Sequence, residues 1–308
     1  MSDCKIPHRQ LTAWLAAALI PTTIQLVSGA SWLTVLLVAT VSLLFIWLRW
    51  DFGAAPKGKL AAVLQWLLMI VVLIAACRYA AKSWPGGEHP VVGIILLSLS
   101  VWSVSKGTSA AARVGSVLFW FVLGLYLILF GAGVKEVQFP YLQPVDADPD
   151  AFGCVLLLTP ASAAIHLYNR KGRKHRLLLI GVFVVVASAL TAGVLSPAVA
   201  VKKENAFYEM TRSLNLLGQA RRFEAILSAG MTVAWFSLLT FYLSLCAYHA
   251  EIAHTGWGEK GSVTAALVAA AALLCDLHIP GILLLVFAAI FWVLIPLLTQ
   301  GLGPEKKS

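Results

Sequence analysis

Residues 11–29 read LTAWLAAALIPTTIQLVSG, an apolar stretch long enough to cross a bilayer with Pro21 near its middle. A second stretch, AFGCVLLLTPASAAIHLY at 151–168, repeats the arrangement around Pro160. Proline inside a helix has no N–H to donate and leaves a carbonyl without its partner. In lipid such a defect persists only where protein or a cavity surrounds it. Interrupted spans at matching places in two halves of a chain point to a carrier's binding site. The pair therefore predicts broken first and sixth spans with a solute site between them.

The rest of the composition agrees with a membrane setting. Hydrophobic residues make up 60% of the 308, mean hydropathy is +0.85, and 12% are charged. Soluble domains carry about 25% charged residues. The reading is an all-α polytopic membrane protein, a single integral membrane domain over 1–308, with the lipid bilayer as its solvent. The formal charge of +9 falls in short loops without interleaved aromatics, so no nucleic-acid partner is expected. Of the five cysteines, Cys77, Cys154, Cys246 and Cys275 lie in or beside apolar segments without zinc or disulfide spacing, and are expected to be free. Pro21 and Gln25 interrupt the first apolar run, which argues for a retained span over a signal peptide.

About ten segments are long enough to cross: 11–29, 31–48, 60–77, 90–105, 114–134, 151–168, 177–199, 223–248, 262–278 and 281–299. With the N-terminus inside, fifteen of the 23 Lys and Arg residues fall on the cytoplasmic side. That predicts N-terminus and C-terminus both cytoplasmic. The polar break 135–150 follows the fifth segment and divides the chain into repeats of about 11–134 and 151–299. Five spans per half makes the halves inverted, a 5+5 inverted repeat with broken helices one and six (LeuT-like). The outer connection 200–222 places Phe207, Met210, Leu214 and Leu217 on one helical face, predicting a helix over about 204–217. It is read either as an interfacial helix or as a lid.

Chemistry has little to draw on. The ionisable residues assigned to the spans are His166, Asp276 and His278, and no nucleophile elbow, zinc motif or phosphate loop occurs. We expect no enzyme, cofactor or metal. The deep polar groups are Thr22, Thr23 and Gln25 beside Pro21, and Thr159 and Ser162 beside Pro160. Half-helix ends there would offer N–H groups to a carboxylate and carbonyls to an ammonium, which suits an amino acid. The competing reading is a pair of kinks whose freed groups are re-satisfied by Thr and Ser. Gln65, Trp66 and Thr232 could wall such a pocket, though packing explains each singly. Gly124, Gly131 and Gly230 are expected to permit close helix approach.

Several stretches taken in order resemble the spore germination permeases, the B subunits of endospore germinant receptors in the amino acid/polyamine/organocation carrier superfamily. They are Ile6-Pro7-His8-Arg9-Gln10-Leu11 at the start, Phe152-Gly153-Cys154 through Pro160, and the basic turn Arg170–Arg176. The series Leu195-Ser196-Pro197, Arg212-Ser213-Leu214 and Arg221-Arg222-Phe223-Glu224-Ala225 is similar to that family's outer loop. Two departures fall at the expected ligand site. Cys154 stands where the family usually has glutamate, and Pro21-Thr22-Thr23 replaces a glycine-bearing break. The resemblance implies a nutrient-sensing subunit of the spore inner membrane, a bacterial cytoplasmic membrane, partnered by A and C subunits. The rival expectation is a small-solute transporter or exporter of the drug/metabolite type, a class with very short loops that the 200–222 connection does not fit.

Overall fold

In a computed structural model the described residues are 6–27, 31–51, 58–82, 89–142, 167, 175–200, 206–214, 220–275, 286 and 290. They form ten α-helices and two short 3-10 turns, without a strand among them. The first five helices are α1 (His8–Val27), α2 (Trp32–Asp51), α3 (Lys59–Lys82), α4 (Pro90–Ser105) and α5 (Thr108–Gly133). Then come α6 (His175–Leu195), the single turn α7 (Pro197–Ala200), α8 (Ala206–Ser213), α9 (Ala220–Ala253) and α10 (Gly258–Leu274). Segments seven, eight and nine of the sequence thus correspond to α6, α9 and α10. All of segment six except Leu167 and all of segment ten except Val286 and Ile290 lie outside the described residues, as do Thr159, Pro160, Ser162, His166, Asp276 and His278.

Three stretches, Lys59–Lys82, Thr108–Glu136 and Ile226–Ala253, are long and apolar enough to cross a membrane, and three shorter apolar helices accompany them. Their outward faces carry Leu99, Trp102, Leu127 and Ile128 exposed. Water would tolerate such a contiguous surface poorly, whereas lipid suits it. Lys106 ends α4 with its ammonium 5.8 Å from the Trp102 ring, an aromatic and a cation together at a helix end.

The helices pack in two groups. α3 and α4 pack mutually with α9 and α10, and α2 packs along α6. α1 is enclosed by α5, α9 and α6, with α8 over one end. Glycine makes the tightest seams possible. A Cβ on Gly115 of α5 would collide with the Trp14 indole of α1, and one on Gly261 of α10 would collide with the Cβ of Ala250 on α9. Gly230 lets Leu125 approach α9 in the same way. Gly124 and Gly131, expected to do likewise, face open space instead. α5 offers its apolar outer side at those positions, and its close contacts come from Gly115 and Gly133.

Two expectations need correction. The break at Pro21 is absent, because α1 continues as one helix from His8 to Val27. The span boundaries were also drawn too short: α3 runs on through Arg78 to Lys82, and α9 through His249 to Ala253. The helix of segment nine, α10, begins at Gly258 and ends at Leu274, earlier than the hydropathy suggested, since Glu251 accepts the backbone N–H groups of Gly256 and Gly258 (3.1 and 2.9 Å) and closes the α9–α10 turn.

Candidate functional site

The α1 face around Pro21 lies at the centre of the bundle. Ala16 through Ile24 are all buried, Thr22 and Thr23 among them. The register follows from side-chain contacts between the helices and the rise of about 1.5 Å per residue. Trp14 lies against Gly115 of α5 and meets Phe241 of α9 edge-on at 5.5 Å. Leu125 lies by Gly230, and the Tyr126 hydroxyl is 3.4 Å from the Met231 sulfur, so α5 and α9 run antiparallel. Seven residues along from the Trp14 layer, Pro21 is therefore level with Val122 and Ala234, both buried.

Pro21 has no N–H for the Ala17 carbonyl, its helical acceptor four residues back. The next acceptor is covered: Thr22 donates its hydroxyl to the Ala18 carbonyl at 2.6 Å, with the Leu19 carbonyl at 3.3 Å. Threonine back-bonding of this kind holds a proline-bearing span together in lipid. Of the groups expected to receive a solute, the Thr22 hydroxyl is thus engaged within α1. Thr23, two residues past Pro21, is buried on the far side of α1 from it. The helix includes Gln25 near its outer end.

The short helix α8 packs against the bundle. Phe207, Met210 and Leu214 are buried, and α8 packs on α9, α6 and α1. Phe207 stacks on Tyr126 at 5.4 Å with rings 6° from parallel. Phe130 and Phe183 extend the aromatic cluster, 4.8 Å apart. Arg212 lies on the outer side and pairs with Glu209 at 3.6 Å. The apolar face of α8 is spent on protein contacts.

The residue before α1's first turn is tied to the distant Leu167. The Ile6 N–H, just before α1, donates to the Leu167 carbonyl at 3.3 Å, and both residues are buried.

The other proposed pocket walls serve packing. Trp66 donates to the Gly261 carbonyl at 3.3 Å, tying α3 to α10, and Thr232 donates to Ser228 one turn back. Gln65 is buried with its Oε1 unpartnered among the described residues. His249, fully buried on α9 with its ring 5.5 Å from Tyr248, escaped the sequence inventory because segment eight was closed at residue 248. Its neighbour Ala250 touches Gly261, so Gln65, His249 and Ser262 adjoin one seam of α3, α9 and α10. Buried ionisable groups in spans mark functional positions by default. Among the described residues no group of three His, Cys, Asp or Glu could hold a metal ion.

Compared with known proteins, the chain matches no family model and no curated relative.

Proposed function

We propose that this chain is a ten-span carrier-type protein built as a 5+5 inverted repeat. It acts as a germinant-receptor subunit that binds an amino-acid-like nutrient between the Pro21 and Pro160 stretches, alongside A and C subunits in the spore inner membrane. The observation that carries the reading is the bond from Ile6 to Leu167, which sets the start of span one against the end of span six. The packing is consistent with the repeat. Under an inverted two-fold, spans two, three and four exchange with seven, eight and nine. The observed partners α2–α6, α3–α9 and α4–α10 are those pairs, and α3–α10 mirrors α4–α9.

The reading makes a demand on segment six. Counting from the Ile6–Leu167 bond at about 1.5 Å per residue, an unbroken antiparallel helix would put Pro160 level with Ala13, some 12 Å short of Pro21. Extended chain rises about 3.3 Å per residue, so a non-helical stretch of roughly six or seven residues in segment six would bring the prolines level. The break required at Pro160 thus has a length, and the continuous α1 gives it a straight partner.

The test is a thermal-shift panel of the proteinogenic amino acids on purified protein, followed by germination assays. One amino acid is expected to raise the melting temperature of the wild type and fail with Thr23→Val and Pro160→Leu at normal expression. Spores carrying only Pro160→Leu should then ignore that amino acid. Normal germination by Pro160→Leu spores would refute the site. Solute efflux by the chain alone, in a host without A and C subunits, would favour the exporter.

A further inference from the structure

A cavity of about 710 Å³ opens between α1, α5 and α6, on the side of α1 away from α9. It runs along α1 from Arg9 to Ile20, and Pro21, Thr22 and Thr23 do not line it. Its length along α1 is eleven residues, about 16 Å at the helical rise. Half of a hydrocarbon core of ~30 Å is nearly the same distance. The walls are graded in polarity along that axis. Arg9, Gln10 and Thr12 stand at one end, and Leu123 and Ile20 close the other. No acidic side chain lines it. The groove opens sideways past Val117, Trp120 and Leu179, which are 70%, 71% and 68% exposed.

We infer that this groove holds one acyl chain of an anionic phospholipid from the leaflet on the Arg9 side, with the headgroup phosphate at Arg9. A soluble nutrient would find no polar wall over most of this length, whereas an acyl chain finds apolar contact down to mid-bilayer. The exposed cation at the mouth selects headgroup charge, because basic pockets between spans attract anionic lipid. Arg113 lies exposed one turn before Val117 on α5, adding positive charge at the same end. The inference does not depend on the nutrient site, only on α1 and α5 crossing the membrane.

Trp120 lies at mid-groove and reports occupancy directly. The protein is reconstituted in phosphatidylcholine vesicles containing a minor fraction of dibrominated lipid, either phosphatidylglycerol or phosphatidylcholine. The Trp120 contribution is the difference between wild type and Trp120→Phe. Brominated phosphatidylglycerol is expected to occupy the groove about fivefold more favourably than brominated phosphatidylcholine, the ~1 kcal/mol of one basic residue near an anionic surface. Arg9→Gln should remove that preference and Arg9→Lys should keep most of it. Equal quenching by the two lipids, unchanged in Arg9→Gln, would reduce the groove to ordinary lipid contact and overturn the inference. Quenching by neither lipid would do the same.

Discussion

Thr22 and Pro21 act together on α1. The proline removes a donor, and the threonine hydroxyl, 2.6 Å from the Ala18 carbonyl, stitches the next turn. In a soluble helix an interior proline costs about 3 kcal/mol relative to alanine, so its retention in a buried helix favours a functional reason. Pro21→Ala should therefore melt at the same or a higher temperature while its nutrient response falls about tenfold or more, ~1.4 kcal/mol of solute affinity. An unchanged dose–response curve would leave Pro21 as a kink alone. Glycines make a sharper contrast. Gly115→Val forces a side chain into Trp14 and should destabilise by ~1–3 kcal/mol. Gly124→Ala meets nothing and should be neutral or stabilising by ~0.4–1 kcal/mol. Thermal melting in detergent separates the two. A sequence window sees both glycines as small residues in a span. Which one faces Trp14 depends on helix rotation, and the apolar pattern of a lipid-bathed helix does not encode rotation, since lipid and core select the same side chains. His249 was lost for a simpler reason: the apolar average falls before the helix ends.

At the level of elements, α8 is the part whose sequence pattern carried most information. Phe207, Met210 and Leu214 repeat at steps of three and four between polar neighbours, and all three are buried. In water-exposed connections, unlike spans, a periodic face can only mean burial. If α8 gates the route above Pro21, the Phe207–Tyr126 stack is its latch. Phe207→Ala should cost ~3–5 kcal/mol locally. Hydrogen exchange should then accelerate over Ala206–Ser213 and leave α3 and α10 unchanged. Equal acceleration throughout would make α8 an integral part of the core, and no change would detach it from the fold. The turn before α7 holds a local strain. Ser196 has φ of 68°, a left-handed conformation that a side chain disfavours, just ahead of Pro197. Ser196→Gly should relieve it and raise the melting temperature slightly.

For the molecule as a whole, the helical class and its long apolar helices were legible because hydropathy over some twenty residues is a strong signal. The grouping of α3 and α4 with α9 and α10 was not legible, since no local residue specifies a partner helix. Composition located the buried hydroxyls of Thr22 and Thr23 beside Pro21 but not the continuity of the helix through the proline, where the Thr22 hydroxyl bonds the Ala18 carbonyl inside α1. Orientation rests on the basic residues of the loops, and a cysteine at Lys106 should label from the cytoplasmic side in intact cells.

The central claim is that spans one and six face each other with their prolines level. It is tested most directly by paired cysteines in a background without the native five: Thr23→Cys with Ser162→Cys, against Ala13→Cys with Ser162→Cys. Short bifunctional reagents bridge only closely apposed residues. The account predicts that the Thr23 pair cross-links and that the activating amino acid protects it. Cross-linking of the Ala13 pair alone would mean an unbroken sixth helix, with Pro160 far below Pro21, and would contradict the site.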